Sequence, residues 1–224
     1  MSFLINFFIF ILGYLFGSLN TSIILGKLWK KQDVRQFHSN NAGATNSSRV
    51  FGKKFGLIVL ILDILKGYIA VSVIGFLAFS TLQEKYFLFP LLAGLGCVLG
   101  HIFPIFFKFK GGKGVGCNIG ILIAINPILF PIAAFFFFSI TLISRYVSLG
   151  SVLTAFFMIA FVSIPWMNTS TLAFLTPKNI PFWSNTIIFT LSAALLIGSH
   201  YQNIIRLFKG AERKINLKRK NKTK

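Results

Sequence analysis

Long apolar runs separated by short polar stretches dominate the chain, and their lengths predict helices. About 20 apolar residues carry a helix across the hydrocarbon of a bilayer, and runs of that size lie at 3–25, 55–79, 86–107, 147–167 and 184–207. The run 114–144 is too long for one ordinary span, and Asn126-Pro127 with Pro131 interrupts it, because proline removes a backbone donor and clashes with the preceding turn. Two short helices are expected there, which makes seven spans. The first run contains Gly17-Ser18 and Asn20-Thr21-Ser22 but lacks the basic flank and small-residue cleavage site of a removable leader, so it is expected to stay as a helix.

Composition strengthens this reading. Of 224 residues 55% are hydrophobic and 28 are Phe, more apolar surface than a soluble domain of this size can bury. An all-α, polytopic membrane protein follows, with no internal repeat and no soluble domain. The net charge of +19 does not point to nucleic acid, because Lys and Arg cluster between the apolar runs, as juxtamembrane anchors at an anionic leaflet do.

Those clusters orient the chain. Lys27, Lys30, Lys31, Arg35, Arg49, Lys53 and Lys54 follow the first run, Lys108, Lys110 and Lys113 follow the third, and the segment from Arg206 onward is densely basic. If 114–144 is two helices, these and Arg145 fall on one side, leaving Lys85 and Lys178 opposite and Lys66 within a span. Cytoplasmic loops collect Lys and Arg, so the N-terminus is expected outside and the C-terminus in the cytoplasm. Residues 1–210 are read as one transmembrane domain and 211–224 as a basic cytoplasmic tail.

Candidate chemistry gathers in the cytoplasmic loops. The first, some thirty residues long, carries His38-Ser39-Asn40-Asn41-Ala42-Gly43-Ala44-Thr45-Asn46-Ser47-Ser48-Arg49. A solvated connector accounts for Lys53 and Lys54 but not for this run, in which Ser39, Asn41, Thr45 and Asn46 supply neutral hydrogen bonds and Arg49 can hold a phosphate bidentately. The second loop runs from Gly100-His101 through Lys108-Phe109-Lys110-Gly111-Gly112-Lys113-Gly114 directly into a helix. Glycines and lysine before a helix N-terminus form a candidate phosphate cradle. It is not a nucleotide-binding P-loop, because Phe107 occupies the first glycine position and Gly114 follows Lys113.

Arg145, Ser148 and Ser151 begin another span, and His200 and Asn203 lie near the cytoplasmic end of the last. The i, i+3 spacing places His200 and Asn203 on one helical face; such a pair either works on a hydroxyl nucleophile or holds helices together. Asp63 and Lys66 share a face about 14 to 18 Å into a span, and a structural ion pair is expected. Asp33, Glu84 and Glu212 lie in loops, so no carboxylate pair supports acid/base work. Cys97 and Cys117 lack paired CxxC spacing and read as packing residues, and three scattered histidines suggest no metal site.

Taken together, Gly17-Ser18, Asp33-Val34-Arg35, Ser39, Asn41, Gly43-Ala44-Thr45-Asn46, Arg49, Gly-His-x-x-Pro, Lys-Gly-Gly-Lys-Gly, Arg145-Tyr146-x-Ser148-x-x-Ser151 and His200-x-x-Asn203-Ile204-x-Arg206-Leu207-x-x-Gly210-x-Glu212-x-Lys214 closely resemble the bacterial acyl-phosphate:glycerol-3-phosphate acyltransferases, the PlsY family. The motifs cover nearly the whole chain in that family's order. The resemblance implies a seven-span inner-membrane enzyme with a cytoplasmic active site and no cofactor. Its reaction would move a fatty acyl group from acyl phosphate to the 1-hydroxyl of glycerol 3-phosphate, giving lysophosphatidate and phosphate. It also implies Ser39 and Arg49 in substrate binding, the 111–114 loop around a phosphate, His200 with Asn203 at the reacting hydroxyl, and a structural Glu212. The enzyme supplying acyl phosphate would be a partner.

An acyl phosphate is an activated anhydride, so the resemblance implies no enzyme-bound acyl intermediate and lets the departing phosphate take the proton. No His is followed five positions later by Asp, so the dyad of acyl-CoA-dependent glycerolipid acyltransferases is absent. Four departures from the family pattern stand out. His38-Ser39-Asn40-Asn41 replaces Gly-Ser-Gly-Asn, and the two missing glycines are expected to tighten or reshape the backbone around Ser39; Tyr201-Gln202, Ala211 and Gly116-Cys117 are the others. The competing class is a transporter for a phosphorylated or anionic solute, which requires polar groups through the midplane or broken helices meeting there.

Overall fold

A computed structural model describes residues 1–82, 85–177 and 179–215; Glu84, Lys178 and residues 216–224 of the basic tail lie outside them. Among the described residues the regular elements are helical: α1 (Ser2–Gly17), α2 (Thr21–Lys30), α3 (Ala44–Phe51), α4 (Lys53–Leu82), α5 (Leu91–Ile102), α6 (Val115–Ile125), α7 (Leu129–Ser144), α8 (Val147–Val162), α9 (Pro165–Thr169), α10 (Trp183–Ser199) and α11 (Tyr201–Phe208). Short 3-10 turns lie at Val34–Gln36 and Ile105–Phe107. By length and composition Ser2–Lys30 and Lys53–Val73 can cross a membrane, and α10 with α11 makes a third candidate bent by 56°. Leu91–Phe107, Val115–Ile125, Leu129–Ser144 and Val147–Val162 are shorter apolar stretches. Phe3, Phe135 and Ile143 are 83%, 68% and 85% exposed, an outward apolar face that suits lipid as solvent.

The stretch 114–144 is two helices, divided where the sequence places Asn126-Pro127. The Asn126 side chain accepts from Ile128 N–H at 3.1 Å and donates to the Met167 carbonyl at 3.2 Å and Ser170 Oγ at 3.1 Å. Three runs expected as single helices are also broken, each by a local competitor for the backbone. After Gly17 the chain restarts at Thr21, because Asn20 Oδ1 accepts from Ile23 N–H at 3.1 Å and caps α2. The run 147–167 divides before Pro165, which starts α9. Near the end of α10, Ser199 Oγ and His200 Nδ1 meet the Leu196 carbonyl at 2.6 and 2.9 Å, and side-chain donors there compete with the helix ladder.

Glycine sets the helix spacing. On α1 and α5, a Cβ at Gly13, Gly17, Gly96 or Gly100 would lie 2.1–2.2 Å from a carbonyl oxygen of the facing helix. On α4 and α6, Gly67 and Gly120 are as close, at 2.2 Å, and Gly116 is 2.7 Å from Asp63 Cβ. In lipid the tails are as apolar as the side chains, so close backbone packing takes over from hydrophobic burial as the force that joins helices.

That packing encloses the expected Asp63–Lys66 pair. Lys66 Nζ lies 3.4 Å from Asp63 Oδ1 and donates to the Gly17 and Leu19 carbonyls at 3.2 and 3.3 Å. Thr21 Oγ1 donates to Asp63 Oδ1 at 2.9 Å, and His101 Nδ1 is 3.3 Å from Lys66 Nζ. Asp63, His101 and buried Cys117 each bring a ligand-type atom within 4.8 Å of the others, and the Lys66 ammonium is the cation of this cluster. Lys66→Met is expected to destabilise the protein by about 3–5 kcal/mol, because it strands a buried carboxylate. Asp63→Asn with Lys66→Met should recover most of that loss; thermal unfolding in detergent reads both.

Candidate functional site

The site is assembled by pinning the α2–α3 and α5–α6 loops together. Arg35 pairs with Asp33 at 2.7 Å and reaches across to donate to the Phe107 and Lys110 carbonyls at 2.8 and 2.9 Å. Ala42 N–H donates to the Gly111 carbonyl at 3.1 Å. Asn46, expected to bind substrate, is 2% exposed, stands in the cleft wall and also organises the loop: its amide donates to the Val34 and Phe37 carbonyls at 3.0 and 3.1 Å and accepts from Ser39 N–H at 3.3 Å. His38 and Asn40, which stand where the family pattern has glycine, take left-handed φ of 52° and 53°. Glycine adopts that conformation freely, and Asn and His more readily than most other residues. Ser39 lies between them at the rim of the cleft.

The glycine loop works differently from the cradle read in the sequence. Gly111 N–H donates to the Ile102 carbonyl and Gly112 N–H to the His101 carbonyl, at 3.1 and 3.0 Å. A Cβ on Gly112 would lie 2.0 Å from His101 Nε2, and one on Gly111 2.0 Å from the His101 carbonyl. These two glycines let the chain fold flat against α5. Lys113, Gly114, Val115 and Gly116 then face the cleft, where the first amides of α6 have no partner within their own helix.

A cleft of about 930 Å³ brings the remaining candidates together. Ser39, Asn41, Thr45 and Arg49 line it from the first loop, Lys113 and Gly114 from the second, Ser148 and Ser151 from α8, and His200 and Asn203 from the α10–α11 bend. Arg145 is not among its walls; it is exposed, caps α7 in a left-handed conformation and accepts Ile215 N–H at 2.8 Å. Residues that the sequence reading left out also line the cleft: His101, Gln202, Arg206 and Arg213. His101 stood in the Gly-His-x-x-Pro motif and Arg206 stands three residues after Asn203 and six before Glu212, so those two left a signal.

One polar network spans the floor. Lys113 Nζ donates to Asn203 Oδ1, Asn203 Nδ2 donates to Glu212 Oε1 at 2.6 Å, Ser148 Oγ to the same oxygen at 2.8 Å, and Arg206 Nε to Glu212 Oε2 at 2.8 Å. Glu212 thus accepts hydrogen bonds from three side chains on two helices, α8 and α11. Burial would raise its pKa, but hydrogen bonds from Arg206, Asn203 and Ser148 outweigh that and hold it below the usual carboxylate range. Burial pushes the Lys113 pKa down to about 8, with Glu212 opposing and the Arg206 and Arg49 cations assisting. Because the Leu196 carbonyl can only accept, His200 Nδ1 carries a proton in its 2.9 Å contact, and Nε2 is the acceptor of the neutral ring.

A cleft with clustered cations, a helix N-terminus and a histidine acceptor suits phosphate-bearing substrates, and comparison with known proteins is decisive. The sequence profile of the family described as glycerol-3-phosphate acyltransferase matches residues 7–210. The chain belongs to the glycerol-3-phosphate acyltransferase family. Curated relatives of that name include one from Mycoplasmopsis synoviae, 49% identical over 98% of both chains, and one from Staphylococcus haemolyticus, 38% identical over 92% of this chain and 95% of the relative. A crystal structure of PlsY, an integral membrane glycerol 3-phosphate acyltransferase in its glycerol 3-phosphate form, superposes with a TM-score of 0.77 at 33% identity, over 94% of this chain and 96% of that one. The lysophosphatidic acid form gives 0.74 at 31% identity, over 94% and 95%. As a member of the family the chain is a multi-pass membrane acyltransferase, and a solute transporter is not favoured.

Proposed function

We propose that this enzyme acylates the 1-hydroxyl of glycerol 3-phosphate with acyl phosphate as donor, at the cytoplasmic face of the inner membrane. The observation that carries the reading is the meeting of Arg49, Lys113 and the His200–Asn203 pair, from three distant segments, on one cleft. In this scheme Lys113 and the first amides of α6 hold a substrate phosphate, with Arg49, Arg206, Ser39, Asn41 and Thr45 around it. His200 Nε2 accepts the hydrogen bond of the substrate hydroxyl. Asn203 keeps Lys113 aimed. The hydroxyl oxygen attacks the acyl carbon, the new ester C–O bond forms, the bond to the phosphate oxygen breaks, and the proton leaves with that phosphate.

Topology belongs to the same proposal. Seven spans put the loops at α2–α3, α5–α6 and α7–α8 and the tail on one side, the basic side, with the N-terminus outside. The catalytic unit would be residues 1–210, followed by a basic tail, 211–224, whose first residues Ala211, Glu212 and Arg213 fold back onto the cleft. The supplier of acyl phosphate would dock on this basic face.

Purified protein given glycerol 3-phosphate with palmitoyl phosphate or palmitoyl-CoA tests the donor directly. Lysophosphatidate from the acyl phosphate alone is expected; product from the thioester alone overturns the donor assignment. The pH dependence is a second test. Lys113 loses its proton above about pH 8 in the free enzyme, so kcat/KM should fall roughly tenfold per pH unit beyond that point. Bound phosphate favours the charged amine, so kcat should hold to higher pH. Lys113→Arg should remove the alkaline fall in kcat/KM.

A further inference from the structure

α6 is only 11 residues long, and Lys113 precedes it by two positions, so the seat of α6 fixes the seat of Lys113. Toward α4 that seat is set by close contacts at Gly67, Gly116 and Gly120. Toward α10 it is set by polar links. Asn118 Nδ2 donates to the Gly114 carbonyl at 3.1 Å, while Asn118 Oδ1 accepts from Ser192 Oγ at 2.9 Å. Ser199 Oγ donates to the Lys113 carbonyl at 3.1 Å. Asn118 is 4% exposed and Ser192 0%. Neither lines the cleft.

Apolar contacts between helices in lipid leave sliding nearly degenerate, whereas a buried hydrogen bond has one register. Ser192 and His200 lie on the two ends of the same half of α10, eight residues apart in sequence, so a bond from Ser192 to α6 measures Lys113 against His200. We infer that Asn118 and Ser192 form a positioning clamp that holds Lys113 and His200 at the separation the reaction requires. The inference rests on the reading of Lys113 as a phosphate ligand and adds residues that no substrate touches.

Steady-state kinetics on the full chain in detergent test it, using Ser192→Ala, Asn118→Leu, the double variant, Ser192→Thr and Lys113→Ala. The clamp predicts that Ser192→Ala and Asn118→Leu each raise KM for glycerol 3-phosphate about tenfold, with kcat within about threefold of the parent. The double variant should be no worse than Asn118→Leu alone, because that substitution already removes the bond that Ser192→Ala removes. Ser192→Thr, which keeps the hydroxyl, should retain the parent KM. Folded Ser192→Ala with an unchanged KM overturns the clamp, as do additive effects in the double variant; if Asn118→Leu does not fold, Ser192→Ala against Ser192→Thr decides. An unchanged KM in Lys113→Ala would instead remove the phosphate-site reading and the clamp with it.

Discussion

Replacing His200 by Ala is expected to lower kcat by about three orders of magnitude, with little loss of folded protein. The ring is 2% exposed, and its Nδ1 is tied to the Leu196 carbonyl at 2.9 Å, so Nε2 is presented to the cleft in a fixed orientation. In the proposed mechanism, removing it takes away the acceptor that aligns the attacking hydroxyl, while the proposed phosphate ligands on α6 and the first loop stay in place. KM for glycerol 3-phosphate should therefore change far less than kcat. Asn203→Ala should behave differently: it frees Lys113 and removes one of the three hydrogen bonds that hold Glu212, so kcat and KM should both worsen. A His200→Ala enzyme within tenfold of the parent kcat would show that the histidine is only a helix-bend residue.

Gly112→Ala is expected to be nearly as damaging, for a steric reason. The added methyl would sit 2.0 Å from His101 Nε2 and 2.9 Å from the Ala42 carbonyl. His101 has little room to retreat, since its Nδ1 lies 3.3 Å from Lys66 Nζ and 3.6 Å from Asp63 Oδ1. The loop must move, and Lys113 with it. Overpacking of this kind costs about 1–3 kcal/mol, and an ångström-scale shift of Lys113 should lower kcat/KM by about a hundredfold. A drop of several degrees in the melting temperature should accompany the kinetic loss. Unchanged stability and KM would mean that the loop is not seated against His101.

Much of this was legible in the chain because apolar run length and loop charge are linear signals. The break at Asn126-Pro127, the buried Asp63–Lys66 pair and the polar loops that build the cleft could all be read that way. The bends at Asn20 and His200 could not, since each depends on where one side chain hydrogen-bonds rather than on a helix-breaking residue. Direction was equally hidden: nothing in the string Asn41 to Asn46 says that the Asn46 amide, in the cleft wall with Asn41 and Thr45, also braces Val34 and Phe37. Gly111 and Gly112 show the limit most clearly. Their composition suggested amides offered to an anion, whereas their N–H groups bond to α5 and their missing side chains make room for His101. The tie from Glu212 to Ser148, 64 residues apart in sequence, is a tertiary fact that the spacing of the motifs does not encode.

The most direct test of the account is a structure of this enzyme with glycerol 3-phosphate bound. The account predicts a phosphate oxygen within hydrogen-bond reach of Lys113 Nζ and the first amides of α6, and the 1-hydroxyl within reach of His200 Nε2. A substrate lodged elsewhere on the basic face, with Lys113 still held only by Asn203, would contradict it.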